Sequence, residues 1–365
     1  MGGARHPFIQ GLELCALFYE EGVGPILGAH FPGVVYSAAR LGPGSDVLGF
    51  DTPQSMDHDW GPRLTLFLDE VDHERYRDEI NRVLRAKLPR EIRGYSTGFG
   101  RHEDGTIVMQ EDADGPVNHH IDINTVRAFF EQYLNWNPGE EPGLVDWLTF
   151  PAQHLRSLVA GRVFHDGLGR LEPARASLRY YPRDVWLYLL AAQWGRISQE
   201  EAFVGRCGQV GDELGSRLVA GRLARDLMRL CFLMERQYAP YIKWFGTAFT
   251  QLDCAPHLTP ILTRVLEAGS WQEREKQLSA AYEFAAGMHN DLGVTDPLPT
   301  QVSRFHDRPF YVIHAENFSA AIRETIASKE VRALPPQLGA IDQFVDSTDV
   351  LSYPEQFGRL KLMYR

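Results

Sequence analysis

The 365-residue chain has only four cysteines, Cys15, Cys207, Cys231 and Cys254, far apart and in no CxxC spacing. That excludes a disulfide scaffold and a thiolate zinc site, and predicts reduced cysteines in apolar surroundings. No apolar run nears the roughly 18 residues that span a bilayer. The opening MGGARHPFIQ has no apolar leader core, and His6 stands where a myristoylation pattern wants Ser or Thr. A cytoplasmic protein is the expectation. Basic residues are scarce beside acidic ones, 37 Lys and Arg against 48 Asp and Glu, for a formal net charge of −11. This disfavours a broad nucleic-acid surface, which neutralises phosphates with clustered cations. Neither GxxxxGK[ST] nor GxGxxG occurs, which argues against P-loop NTPases and Rossmann dehydrogenases. Internal repeats and low-complexity tracts are lacking as well.

What is present suits a soluble globular chain with two cores: 44% of positions are hydrophobic and 23% charged. The chain is organised around the stretch from Gly42 to Leu68, GPGSDVLGFDTPQSMDHDWGPRLTLFL. A Gly-Ser turn (Gly44, Ser45) bares backbone N–H groups and a hydroxyl to an anion. Asp57 and Asp59, at i and i+2, project to one side if the chain is extended, which suits a divalent cation with oxygen ligands. His58 between them then points away. Gly, Pro, Asp and Ser are also ordinary turn residues, so the signal lies in the conjunction with the strand-like run Leu64 to Leu68 that follows at once.

This order resembles the signature of the nucleotidyltransferase superfamily, the fold of kanamycin and lincosamide nucleotidyltransferases and of polymerase beta. The longer wording GSDVLGFD…DHDWGPR, with HN.LG.T.P…F..RPF..I from His289 to Ile313, is similar to a family catalogued as domain of unknown function 4037. The resemblance spans nearly the whole chain. It implies an α+β fold and Mg²⁺-dependent (or Mn²⁺-dependent) transfer of a nucleotide, AMP from ATP or another NTP, to a hydroxyl or amine of an unidentified acceptor, most simply a small molecule. It names no substrate.

Along the chain, Phe8 to Tyr19 predicts an amphipathic helix ending toward Gly22 and Gly24. Val34 to Ala39 predicts a short strand, and Asp72 to Lys87 a helix with a Tyr76, Ile80, Val83, Leu84 stripe. Thr106 to Gln110 and Asn118 to Val126 read as strands flanking the turn Asp112 to Pro116. The loop NWNPGEEPG, Asn135 to Gly143, marks a boundary. Residues 1–140 are therefore expected to form a small mixed-sheet domain and 141–333 a helical bundle. That bundle reads as helices over Leu144 to Ala160, Pro182 to Trp194, Gln199 to Met234, Tyr238 to Thr250, Leu258 to Ala268 and Trp271 to Met288. The tail 334–365 is expected to pack back on the domains, and the active site to lie in the cleft between them.

Nucleotidyl transfer with two metal ions needs at least two carboxylates, preferably three. Asp57 and Asp59 supply two, and Asp122, an acid inside the alternating run NHHIDINTV, is the candidate for the third metal ligand and for the base that accepts the acceptor's proton. Glu111, Asp112 and Asp114 are its rivals. Consecutive His119 and His120 face opposite ways in a strand, which does not favour zinc. Gly44 and Ser45 are assigned the β and γ phosphates. Arg222, Arg225, Arg229 and Arg236 form a helical basic stripe, ordinarily a solvated face balanced by neighbours such as Asp226 and Glu235, and Lys243 sits among the aromatics of YAPYIKWF. By resemblance to kanamycin-type enzymes, whose helical domain contributes a lysine to the triphosphate, Lys243 is a further nucleotide contact. Two other readings stay open: a catalytically silent nucleotide- or ligand-binding module, and a phosphohydrolase in the helical half built on His154, His165-Asp166 and Asp184. GYSTG, Gly94 to Gly98, spells GxSxG but lacks the strand before it and the helix after it that a nucleophile elbow needs.

Overall fold

A computed structural model describes residues 7–110, 115–336 and 338–364. The fold is α+β. The chain divides into two compact units: residues 1–141 with 154–179, and residues 142–153 with 180–365. The first returns after the second has begun because a strand at 162–166, which the sequence pattern had not indicated, joins the sheet of the first unit.

That sheet has four strands, β1 (Tyr36–Arg40), β2 (Arg63–Leu68), β3 (His120–Thr125) and β4 (Arg162–Asp166), in the order β3-β2-β1-β4. β2 runs antiparallel to β1 and parallel to β3, with Ala39 opposite Thr65 and Thr65 opposite Asp122. All six residues of β2 are buried, because it has a strand on either side and lies inside the unit. Its even-numbered side chains, Leu64, Leu66 and Leu68, join Ala38 and Ile121 in one core. Against this face pack α1 (Gly11–Phe18), through Leu14 and Phe18, and α2 (Glu70–Lys87), through Ile80 and Leu84. The opening helical segment does not stop at Gly22: a π-helical turn, Tyr19–Val23, carries it into a further helix, Gly24–His30. Asp69 caps α2 by accepting from the Asp72 N–H, and Thr125 caps α3 (Val126–Leu134) by accepting from the Ala128 N–H. Each cap sits where a strand hands over to a helix. Parity along the strands puts Arg63, Thr65, His120 and Asp122 on the face opposite the leucines.

The second unit is helical. Its centre is α4 (Arg183–Glu200), buried around most of its circumference, with Tyr188, Leu190 and Trp194 fully enclosed. The other main helices of the unit are α5 (Glu213–Met234), α6 (Ile242–Phe249), α7 (Ala255–Glu267), α8 (Trp271–Asp291) and α9 (Ala315–Glu324), of which α5 and α9 pack on α4 directly. The long helix read over Gln199 to Met234 is two, Phe203–Gln209 and α5, broken at Gly211 (φ 77°) with Asp212 capping the second. The helix read over Leu144 to Ala160 is also two, Leu144–Thr149 and Ala152–Ala160, separated at Pro151. The tail bonds within this unit: Asp346 pairs with Arg225 at 2.8 Å, and the Tyr364 hydroxyl donates to Gly339 O at 2.8 Å. The His289 to Ile313 motif is structural here. Asn290 exchanges two hydrogen bonds with the backbone of Leu298, and Glu201 accepts from the Ile313 and Ala315 N–H groups.

Candidate functional site: the Gly-Ser turn and the outer sheet face

β1 runs into the turn Gly42 to Ser45, and Ser45 opens a single helical turn, Ser45–Leu48. Gly44 has φ 148°, and a Cβ there would meet Asp46 Oδ1 at 1.9 Å, Arg40 Nη2 at 2.5 Å and Arg63 Nη2 at 2.8 Å. Only glycine fits, because two guanidiniums close in on its backbone. The Ser45 hydroxyl has no partner among the described residues.

Asp46, which the sequence reading passed over, is the buried pivot of this turn. Arg40 Nε donates to its Oδ2 at 2.8 Å, Arg40 Nη2 to Oδ1 at 3.1 Å and Arg63 Nη2 to Oδ1 at 3.0 Å. Burial alone would raise the Asp46 carboxyl, but the two guanidiniums hold it below the usual carboxylate range. Burial and then the like charge of Arg40 lower the Arg63 pKa. Two cations thus share one carboxylate, and Arg63 Nε is buried without an acceptor. The cluster carries surplus positive charge at the turn.

Asp51 ties the next segment down. Its Oδ2 accepts from the Gly11 N–H at 2.7 Å and from Trp60 Nε1 at 2.9 Å, so the loop bearing Asp57, His58 and Asp59 is pinned at both ends. Within it the expectation of an extended chain fails. Pro53–Asp57 is a 3-10 helix and Asp59 has φ 45°, so the two aspartates do not share a strand face. Nor does His58 turn away: its Nδ1 lies 3.0 Å from Asp57 Oδ1. Asp59 is held through its backbone, its N–H donating to Ile107 O at 2.8 Å.

Asp122 stands exposed on β3, beside Thr65 of β2. Its neighbour two residues back, His120, reports on the surroundings. Burial lowers the His120 pKa, Arg63 and Arg40 lower it further, and Asp122 and Asp59 oppose them. Four charged groups therefore act on one imidazole: the two arginines of the turn, and two carboxylates with no ion-pair or hydrogen-bond partner among the described residues. Among the described residues no three His, Cys, Asp or Glu side chains converge as a metal centre. Glu111, Asp112 and Asp114 lie outside the described residues.

The remaining candidates have structural partners. His154 stacks on Tyr133 at 4.3 Å and burial pushes its pKa down to about 4. Asp166 accepts from the Ser37 hydroxyl at 2.6 Å, and Asp184 from the Ala327 and Ser328 N–H groups. The basic stripe is occupied too: Arg222 pairs with Glu200, Arg225 with Asp346, and Arg236 lies over Trp186. Lys243, in the helical unit, is exposed on α6, 5.1 Å over the Trp244 ring. Arg40, Arg63 and Asp46 were missed because an arginine ending a strand and an aspartate after Gly-Ser read as ordinary turn chemistry. The one available signal was the arginine placed directly before the strand run in DHDWGPRL.

No curated protein matches the chain. Among solved structures it is similar to a nucleotidyltransferase-like protein from Exiguobacterium sibiricum, with 10% identity and a TM-score of 0.30 over 86% of this chain and 89% of that one, a likeness on which no argument rests. Residues 147–245 match the family described as domain of unknown function (DUF4037). The matched segment lies between the Gly42 to Leu68 stretch and the His289 to Ile313 motif and contains neither.

Proposed function

We propose that the chain is a Mg²⁺-dependent nucleotidyltransferase that moves AMP from ATP to a hydroxyl or amine of a small acceptor. The observation that carries this reading is the pair of guanidiniums that share Asp46 at the Gly-Ser turn, with Arg63 on the same sheet face as the unpaired carboxylate Asp122. A polyphosphate needs the first, and a hard cation the second. Mg²⁺ commonly takes one or two protein carboxylates and completes its shell with phosphate oxygens and water. Exposed acids that do not converge on one point fit that habit, with Asp57 as the third acid in reach of the same loop. The metal, when bound, would neutralise charge on the phosphates. Gly44 and Ser45, backed by Arg40 and Arg63, hold the β and γ phosphates. The acceptor oxygen or nitrogen bonds to the α phosphorus, the bond to the bridging oxygen breaks, pyrophosphate leaves, and Asp122 takes the acceptor's proton.

A second reading is favoured by the His58 contact that engages Asp57 and by the spread of the acids: a module that binds the nucleotide without turnover. Purified protein with α-labelled ATP, Mg²⁺ and a metabolite extract separates the two. A transferase releases pyrophosphate and labels a product, and a binding module retains ATP without release. Asp59→Asn and Asp122→Asn should both abolish labelling, and unchanged labelling in either would overturn that acid's role.

A further inference from the structure

Within the helical unit, α4, α5 and the tail line a half-open pocket of about 40 Å³ whose walls include Tyr181, Gln193, Arg229, Gln237, Asp342 and Gln343. A water needs roughly 10–15 Å³ of such space, so about three water-sized groups fit. The two core glutamines already have partners. Gln343 Nε2 donates to Leu189 O and to Gln193 Oε1, while Gln193 Nε2 donates to the backbone and carboxylate of Asp226. The others are not used up. Arg229 donates through Nη1 to the Asp342 carbonyl and lies over the Phe245 ring, but its Nε and Nη2 have no acceptor among the described residues. The Tyr181 hydroxyl and the Gln237 amide likewise have no partner among the described residues. The Asp342 carboxylate accepts from the Ala152 N–H at 2.9 Å and forms no ion pair with Arg229.

A guanidinium and a carboxylate, both half-buried, thus line one small space and feel each other's charge without a direct ion pair, which leaves hydrogen-bonding capacity on each for a ligand. A ligand with a single charge satisfies one and strands the other. A compact zwitterion satisfies both. We propose that this cavity binds the head group of a small α-amino acid, its carboxylate on Arg229 and Tyr181 and its ammonium on Asp342. The space suits the head group of a small amino acid such as glycine or alanine. Because Asp342 and Gln343 belong to the tail, which Asp346 also fastens to Arg225, an occupied cavity ties the tail to α5. The inference stands independently of the transfer chemistry proposed for the sheet.

Calorimetry and thermal melting of the full chain with glycine and L-alanine test it, with N-acetylglycine, sodium acetate and methylammonium chloride as single-charge controls. The expected result is saturable binding and a raised Tm for an amino acid and for none of the controls. Asp342→Asn keeps an acceptor for Ala152 but loses the charge, and should weaken binding about 10- to 100-fold, the scale of a hydrogen bond to a charged group. Tyr181→Phe should weaken it several-fold while leaving the Tm without ligand near that of the parent. No binding of either amino acid, equal binding of N-acetylglycine, or parental affinity in Asp342→Asn would each overturn the proposal.

Discussion

Replacing Asp46 by Asn removes the one carboxylate shared by Arg40 and Arg63 while keeping its shape. Three charge-assisted hydrogen bonds, at 2.8, 3.1 and 3.0 Å, are weakened together, and two buried guanidiniums are left facing each other. Removing one partner of a buried ion pair costs about 3–5 kcal/mol because the other charge stays desolvated. Set against a typical domain stability of roughly 5–15 kcal/mol, that is a large fraction. The loss should fall on the first unit, since all three residues and the strands they end belong to it. Urea denaturation followed by hydrogen exchange of β1 and β2 amides measures it. The same cluster predicts a second effect: pyrophosphate should stabilise Asp46→Asn more than the parent, because an anion supplies the counter-charge the variant lacks. The acid side follows from the sign of the shift. A carboxyl held below its ordinary value contributes stability above that value and loses it as pH falls through the depressed one, so the parent should keep this contribution at neutral pH and lose it on acidification. A destabilisation below about 1 kcal/mol, the scale of an exposed pair, would refute the buried-cluster account.

Gly44→Ala should disrupt nucleotide binding and the turn alike, since its Cβ lands 1.9 Å from Asp46 Oδ1; an ATP affinity equal to the parent's would show that the turn is not where phosphate binds. Glu201 is pushed up to about 7 by burial against the N–H donors of Ile313 and Ala315, so its contribution to stability is full below the ordinary carboxylate pKa and is lost as pH rises through 7. Over that window the shift is worth about 3 kcal/mol, and Glu201→Gln should flatten part of the slope, with Glu275, also raised to about 7, supplying the rest. An unchanged slope in the double variant Glu201→Gln with Glu275→Gln would exclude both groups. Lys243→Ala should weaken ATP binding more than AMP binding by calorimetry, and equal losses would assign the lysine to packing beside Trp244.

Local signals carried most of the fold. Leu64 to Leu68 and the alternating NHHIDINTV run became β2 and β3 because a buried strand needs only a short apolar or alternating sequence, and the caps Asp69 and Thr125 sit where the pattern changes period. Signals that depend on a partner distant in sequence were illegible. β4 is one: Arg162–Asp166 shows no clean alternation and becomes a strand only because β1 offers a free edge, an asset that composition does not record. The site divided along the same line. Gly44 and Ser45 announced themselves by residue type, but the loop bearing Asp57 and Asp59 is shaped by Asp51 gripping Gly11 and Trp60, contacts that reach 40 residues back and nine forward. An i, i+2 argument presumes extended backbone and cannot detect such an anchor. The arginines show the limit most sharply. Arg40 and Arg63 lie on neighbouring strands and meet only because β1 and β2 pair antiparallel, and Asp46 separates them in the sequence as it does in space. Their joint charge, and with it the strongest physical reason to place a phosphate at the Gly-Ser turn, belongs to the register of the sheet rather than to any motif.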